Sequence, residues 1–261
     1  MQWEQLTSVD FKAAVEQTGV CVIAMGVLER HSEHLPLGTD YLNGHRIACL
    51  AAEKEPAVVF PPFYFGQIFE ARCFPGTLTL KPKLLLEVIW SVLDEIARNG
   101  FNKIILFNAH GGNNYLLGFL GQCALWEEKP YHLYIPRELI DHAKWKAILE
   151  TDYHGHACEC ETSVTLANYP DLVHMERIPA EPGDPQGRMS GMLPTNNGIW
   201  WYADHPTHYA GDARTASVEK GAKLVNLEVD GLARYIAAVK EDQIIPALTA
   251  EFFAKENGLA R

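Results

Sequence analysis

Lys103-Ile104-Ile105-Leu106-Phe107 runs directly into Asn108-Ala109-His110-Gly111-Gly112-Asn113 and then into the helical-looking stretch Tyr115–Trp126. An apolar run closed by a glycine-containing turn is the pattern of a strand buried on both faces. The same alternation extends in both directions along the chain. Upstream, Phe11–Gln17 reads as a helix, Val20–Val27 as a buried strand, Tyr41–Lys54 as a helix, and Ala57–Phe60 as a strand ended by Pro61-Pro62. Leu85, Ile89, Val92, Leu93 and Ile96 mark one face of a helix over Leu84–Arg98, stopped by Gly100. Downstream come a strand at Tyr131–Ile135 and a helix over Arg137–Glu150. A long amphipathic helix then carries Val218, Ala222, Val225, Val229, Leu232, Ile236 and Val239 on one side. Alternation of this kind predicts an α/β fold of three layers, α/β/α, in which a mostly parallel sheet has helices on both faces. Residues 1–261 read as one domain, with the Pro- and Gly-rich 179–198 segment as a long loop, either a lid or an oligomer contact.

The chain has 261 residues, 48% hydrophobic and 21% charged, which is globular rather than disordered composition. Its net charge of -11, with Lys and Arg scattered, argues against nucleic acid or an anionic membrane as partner. The apolar stretch Val20–Leu28 is about half of what spans a bilayer, and Met-Gln-Trp-Glu-Gln lacks the basic start of a secretion signal. Six cysteines are too few for a disulfide framework in a chain of this size. Cys21, Cys49 and Cys123 read as small core residues of a reduced, cytoplasmic protein, and Cys158-x-Cys160 has no second thiolate pair to complete a cysteine zinc site.

Chemistry concentrates in three polar clusters, two of them at the ends of predicted strands, where open α/β sheets bind ligands. They are Gly26–Asp40, Asn108–Asn113 and His154–Ser163. Glu, His and Asp held together out of water need neutralisation, and a divalent cation provides it. Glu29, His31 and Asp40 supply one trio, and His110 and Glu161 could complete two adjacent sites. Carboxylate with imidazole suits zinc, manganese or iron, zinc first, and is not the cysteine-rich set of a structural finger. Taken alone, the Glu29/His31/Asp40 trio reads equally as a metal site or as a polar turn; His110 directly after a buried strand tips it toward metal. His132, His142, His174, His205 and His208 read as surface or capping residues, and His45 as part of a helix. No nucleophile elbow, phosphate loop, dinucleotide fingerprint or H-E-x-x-H helix is present. His31-Ser32-Glu33-His34 has its histidines three apart, with Pro36 following.

The ordered set of motifs resembles the creatininase (creatinine amidohydrolase) family. That family carries G-x-x-E-x-H-G-x-H-L-P-L-x-T-D, F-P-G-T-x-x-L, N-x-H-G-G-N and H-A-G-x-x-E-T-S. Here these correspond to Gly26–Asp40, to Phe74-Pro75-Gly76-Thr77-Leu78-Thr79-Leu80, to Asn108–Asn113 and to His156–Ser163. Gly211-Asp212-Ala213 and Glu219-Lys220-Gly221 are similar to the family's tail. The chain departs from the pattern at Ser32 and Glu33, where Gly and often Pro stand. It departs again at Ala71, where a histidine is common next to the retained Glu70, and at Cys158, which replaces a glycine.

The resemblance implies a creatininase-like fold and two divalent metal ions bridged by Asp40, with Glu29 and His110 completing one site and His31 and Glu161 the other. It implies hydrolysis of a non-peptide C–N bond, in a cyclic amide or a formamide, by a metal-activated water, and a homo-oligomer, commonly a hexamer. In that scheme His156 is the general acid that protonates the leaving nitrogen. His34 orients a ligand carboxylate, Gly111 and Gly112 allow close backbone approach, and Asn113 and Glu70 lie near the substrate. Two alternatives stand beside it: an inactive metal-holding or assembly protein of the same fold, and a peptidase of peptide-cofactor maturation.

Overall fold

A computed structural model describes residues 1–259. The chain begins with α1 (Ser8–Thr18) and β1 (Val20–Met25), followed by α2 (Thr39–Lys54), β2 (Val58–Val59), α3 (Pro82–Arg98) and β3 (Lys103–Asn108). Next are α4 (Asn113–Cys123), β4 (His132–Tyr134), the short α5 (His142–Lys146), β5 (His154–His156) and α6 (Glu159–Asn168). It closes with α7 (Trp200–Asp204), β6 (Ala210–Gly211), α8 (Val218–Glu241) and α9 (Ile244–Leu259). The main sheet is entirely parallel in the order β2-β1-β3-β4, and β5 pairs antiparallel with β6 in a small second sheet.

Period-2 alternation along β1 builds both faces of the core. Val20, Val22 and Ala24 point into a cluster with Ile47, Ala51, Leu224, Leu232 and Ile236 from α2 and α8. Cys21, Ile23 and Met25 point into the opposite cluster, with Ala14, Leu85, Leu93 and Leu120 from α1, α3 and α4. β3 repeats the division, Ile105 and Phe107 on one side and Ile104 and Leu106 on the other. The α/β architecture with helices on both faces is therefore the direct result of strands that are apolar at every position.

Topology positions the site. β1 and β3 are register partners along their whole length, ending with Met25 opposite Asn108. From β1 the chain crosses through α2 to β2 on one side; from β3 it crosses through α4 to β4 on the other. The loops leaving these two central strands diverge, and the crevice between them is the switch point at which open sheets take ligands.

Several boundaries differ from the sequence expectation. Arg137–Glu150 contains only α5, because the Asp141 carboxylate accepts from the Ala143 and Lys144 N–H groups and starts the helix there. α2 begins at Thr39, α4 at Asn113 and α6 at Glu159, so Asp40, Asn113 and Glu161 each sit in a first helical turn. β2 is two residues long, and α9 was not anticipated. Cys21 and Cys49 are buried as expected of core thiols, whereas Cys123 is only half-buried. Residues 179–198 contain no helix and no named strand. Among the described residues no helix is long and apolar enough to cross a membrane.

α8 packs against α6 through Gly221, where an added Cβ would collide with the Ser163 backbone carbonyl. Helix propensity alone favours alanine over glycine by about 1 kcal/mol. Gly221→Ala is nevertheless expected to destabilise the protein by about 2 kcal/mol or more, since backbone cannot yield as a side chain can. Urea unfolding of the variant measures it; a stabilised variant would contradict this packing.

Candidate metal centre

The loop after β1 and the turn after β3 place Glu29, His31 and His110 beside one another, and the first turns of α2 and α6 bring Asp40 and Glu161 to the same point. His31 Nε2 lies 3.1 Å from Asp40 Oδ1, and His110 Nδ1 lies 3.0 Å from Asp40 Oδ2 and 2.9 Å from Glu29 Oε1. Ligand atoms of His31, His156 and Glu161 fall within 4.8 Å of one another, as do those of Glu29, His31 and Asp40 and those of Glu29, His156 and His208. Glu29, His31 and Asp40 are all buried.

Tautomers follow from the partners. A backbone carbonyl only accepts, so a ring nitrogen facing one must carry hydrogen. His110 Nε2 donates to the Gln67 carbonyl at 3.0 Å, and His31 Nδ1 faces the Glu29 carbonyl at 3.3 Å. The remaining nitrogen of each neutral ring then presents a lone pair to the Asp40 carboxylate. Lone pairs facing anions repel unless a cation lies between them. Glu29 Oε1 and Asp40 Oδ2 have no hydrogen-bond partner although both are buried, which is the same deficit seen from the oxygen side. Imidazoles held by backbone carbonyls on one nitrogen, with the other aimed at carboxylates, fit divalent metal ligation.

Protonation reports the same demand for positive charge. Burial drives the His31 imidazole down, yet the Asp40 carboxylate, then Glu29 and Glu161, outweigh it and hold it up at about 10. His110 is likewise raised well above its ordinary value, burial being overcome by Glu29 and Asp40. Glu161 is pushed up to about 8 by burial, then by Cys158 and Asp40, against the pull of His31. Burial also acts to raise Glu29, but the imidazoles that face it (His156, the raised His110 and, through its hydrogen bond, His208) together hold it well below the carboxylate range.

His208, expected to be a surface or capping residue, is instead buried against the cluster and donates from Nε2 to Glu29 Oε2 at 2.6 Å. The indole N–H of Trp201 donates to His208 Nδ1 at 3.0 Å and selects that tautomer. Trp201 had no place in the sequence reading. Both come from the region after the 179–198 loop, and His208 is 179 positions from Glu29, so no local spacing could reveal the pair. His205 is also buried, against the Tyr153 hydroxyl rather than at the surface.

Other expectations need correction. His34 bonds the Thr162 hydroxyl at 2.9 Å rather than a ligand carboxylate, and burial lowers its basicity to about 4. An added Cβ at Gly111 would meet open space, so no close approach depends on it; at Gly112 it would strike His110 Nε2, so that glycine shapes the surroundings of the His110 ring. Asn113 is fully buried and acts as a strap, accepting from the Gln67 N–H and donating to the Met25 carbonyl. Glu70 accepts from the Gln67 side chain at 2.7 Å on the loop that backs His110. Ala71 packs with Val27 and Ile68 in a small apolar cluster.

A cleft of about 330 Å³ reaches the cluster between Asp40, His110 and Glu161, walled by Asn43, Phe107, Asn114, Trp145 and Cys160. A larger hollow of about 700 Å³ is lined by Trp90, Phe119 and Trp126 and by no side chain of the cluster.

Fold and site together define an α/β protein that gathers buried carboxylates and imidazoles at the carboxyl edge of a parallel sheet. A family model described as creatininase, creatinine amidohydrolase, matches residues 4–236, and the chain belongs to that family. It is 27% identical to the creatinine amidohydrolase of Pseudomonas putida, with 88% of this chain and 93% of that one aligned. Over 92% and 83% of the two chains it is 26% identical to a 3-dehydro-scyllo-inosose hydrolase of Thermotoga maritima. A mycofactocin precursor peptide peptidase of Mycolicibacterium smegmatis is 26% identical over 85% and 86%. The fold is that of solved creatinine amidohydrolase, with a TM-score of 0.78 at 24% identity over 93% of this chain and 98% of the other. Creatininases solved in a Zn–Zn form and in a manganese form superpose at a TM-score of 0.75, each over 90% of this chain and 96% of the other at 24% identity.

The first turn of α6, which carries Glu161, is anchored by the neighbouring Glu159. Its fully buried carboxylate meets Lys220 at 2.5 Å and accepts from the Glu150 and Thr151 N–H groups and the Thr151 hydroxyl. Burial acts to raise this carboxyl, but Lys220 and the Thr151 and Glu150 donors hold it down to about 2. A depressed carboxylate stabilises the fold above its unfolded value and loses that contribution as pH falls toward the folded value. Glu159→Gln should cost about 3 kcal/mol at neutral pH, and the difference from the parent should shrink between pH 4.5 and about 2. Thermal melts across that range measure both effects.

Proposed function

We propose that this chain hydrolyses a C–N bond in a small non-peptide amide, cyclic or a formamide, using two divalent cations held by Glu29, His31, Asp40, His110 and Glu161. The observation that carries the reading is the Asp40 carboxylate with an imidazole nitrogen at each oxygen, at 3.1 and 3.0 Å, the arrangement of a bridging ligand. Glu29 and His110 would complete one position, and His31 and Glu161 the other. Relatives known as a creatinine amidohydrolase and as zinc and manganese forms of creatininase support zinc or manganese as the cations. When bound, such cations supply Lewis acidity to a carbonyl and acidity to a water.

The chain's own groups handle protons and orientation. His156 Nε2 donates to the Arg30 carbonyl at 2.7 Å, so Nδ1 of the neutral ring is the nitrogen free to take a proton. Burial, and then the neighbouring His31 and His208, lower its basicity well below the usual imidazole value against the pull of Glu29. His156 therefore starts neutral rather than as a standing acid: it accepts a proton from the attacking water and returns it to the leaving nitrogen. His208, oriented by Trp201, holds Glu29 through its second oxygen. The Phe74 ring lies 5.4 Å from the His208 ring, and the Arg30 guanidinium lies over the Phe74 ring at 4.7 Å, so the three form one wall.

A cleft of about 330 Å³ suits a small molecule better than an extended peptide. The exposed Tyr115, Phe119 and Trp126 support self-association into a homo-oligomer. A peptide terminus, the substrate type of the mycofactocin relative, is the competing reading.

Asp40→Asn keeps the side-chain volume and is expected to lose both bound cations and turnover, read by elemental analysis and by a screen of lactams, cyclic amides, formamides and short peptides. A cation-free Asp40→Asn protein that still turns over would end the proposal. His156→Gln should retain the cations while kcat falls by about 10²–10⁴.

A further inference from the structure

We propose that His154, Cys158 and Cys160 form a separate binding site for a thiophilic cation, zinc above others, at the junction of β5 and α6. Their three donor atoms lie within 4.8 Å of one another. The Cys158 and Cys160 sulfurs are 3.4 Å apart. A disulfide requires about 2.05 Å, whereas two thiolates on one tetrahedral zinc at about 2.3 Å each stand roughly 3.8 Å apart. At 3.4 Å the two sulfurs are in S–H···S contact, unbonded to each other and within a few tenths of an ångström of the spacing a shared zinc would require.

The histidine is prepared in the same way as a ligand. The Thr151 hydroxyl spends its hydrogen on Glu159 Oε2 at 2.7 Å, so it can only accept from His154 Nδ1, 3.3 Å away. His154 Nε2 then carries a lone pair, and that atom is buried with no hydrogen-bond partner. A carboxylate, a hydroxyl and an imidazole thus form a relay that ends on an unpaired donor beside two sulfurs, the outer arrangement found behind metal-bound histidines.

Space and access agree with this. Gly211, at φ +112°, leaves room that a side chain would fill, since its Cβ would come within 2.8 Å of the Cys158 Cβ. Cys160 lines the 330 Å³ cleft, and Trp145, another wall of it, packs edge-on against His154 with ring centroids 4.8 Å apart. Two thiolates and a neutral imidazole balance one divalent charge, and three protein donors leave a fourth position for water. The donors are chemically unlike the oxygen and nitrogen set of the candidate metal centre, so the two can be told apart by spectroscopy. Occupation would tie β5, which carries His156, to the first turn of α6, which carries Glu161.

The test uses the reduced full-length protein, stripped with a chelator and titrated with Co²⁺. A near-ultraviolet sulfur-to-cobalt charge-transfer band should rise to the amplitude of one thiolate-bound cobalt per chain and be displaced by Zn²⁺, with the cobalt taken up at the separate oxygen and nitrogen centre adding nothing to it. Cys160→Ser and His154→Gln should each weaken or abolish it, and Thr151→Val should lower the affinity about 10–100-fold. Asp40→Asn should retain the band, so failure of the proposed hydrolase centre and failure of this site give different results. Circular dichroism verifies that each variant is folded. Absence of the band in the reduced parent protein, its persistence in the Cys158→Ser/Cys160→Ser double variant, or a Cys158–Cys160 disulfide that survives reductant would each overturn the proposal.

Discussion

The Asp40 carboxylate lies between two imidazoles, each of which commits one ring nitrogen to a backbone carbonyl, and much of the surrounding structure exists to hold that contact. Buried groups of this kind repel one another unless positive charge is shared among them. The protein accepts backbone strain to keep them there. Ser32, Ala157 and His208 adopt left-handed conformations at φ 54°, 53° and 56°, and each is either next to His31 or His156 or is itself a member of the cluster. Strained backbone of this kind persists only where its surroundings over-determine it, and it concentrates at functional sites.

Parallel pairing of β1 with β3 is what makes the convergence possible. Met25 opposite Asn108 puts the two loops at one edge of the sheet, while α2 and α6 each enter the cluster with a carboxylate in the first turn. A helix N-terminus favours negative charge, yet burial still pushes the Glu161 carboxyl up to about 8, so the first turn of α6 alone does not compensate for its desolvation. The packing of α6 on α2 and α8 and the buried Glu159–Lys220 pair then set the height of Glu161 above the sheet. Stability and site geometry share the same residues here.

The departures from the family pattern surround the cluster and replace none of its proposed ligands. Ser32 occupies a left-handed position, which accounts physically for the glycine found there in the pattern. Ala71 fills an apolar niche with Val27 and Ile68, so the side chain that a histidine would contribute next to Glu70 is missing from that wall. Cys158 brings a sulfur into contact with Cys160 and creates donors that the glycine of the pattern could not supply.

Much of this was legible in the chain itself. Continuous apolar strands separated by amphipathic helices specify a parallel sheet covered on both faces, because each such strand must be buried on two sides. Glu29, His31, Asp40, His110 and Glu161 stood out because acids and imidazoles at strand ends are costly to bury without a purpose. The helix starts at Thr39 and Glu159 were less visible, since tertiary packing rather than periodicity extends those first turns. His208 and Trp201 were invisible: a histidine after a long loop carries no periodic signal, and its role exists only through a contact with Glu29. His34 looked like a partner for a carboxylate, but packing turned it toward Thr162. Local sequence determined which elements form and which residues are expensive to bury. Tertiary structure alone decided which of those residues share a proton or an ion, because hydrogen bonds and charges act over a few ångströms of space regardless of separation along the chain.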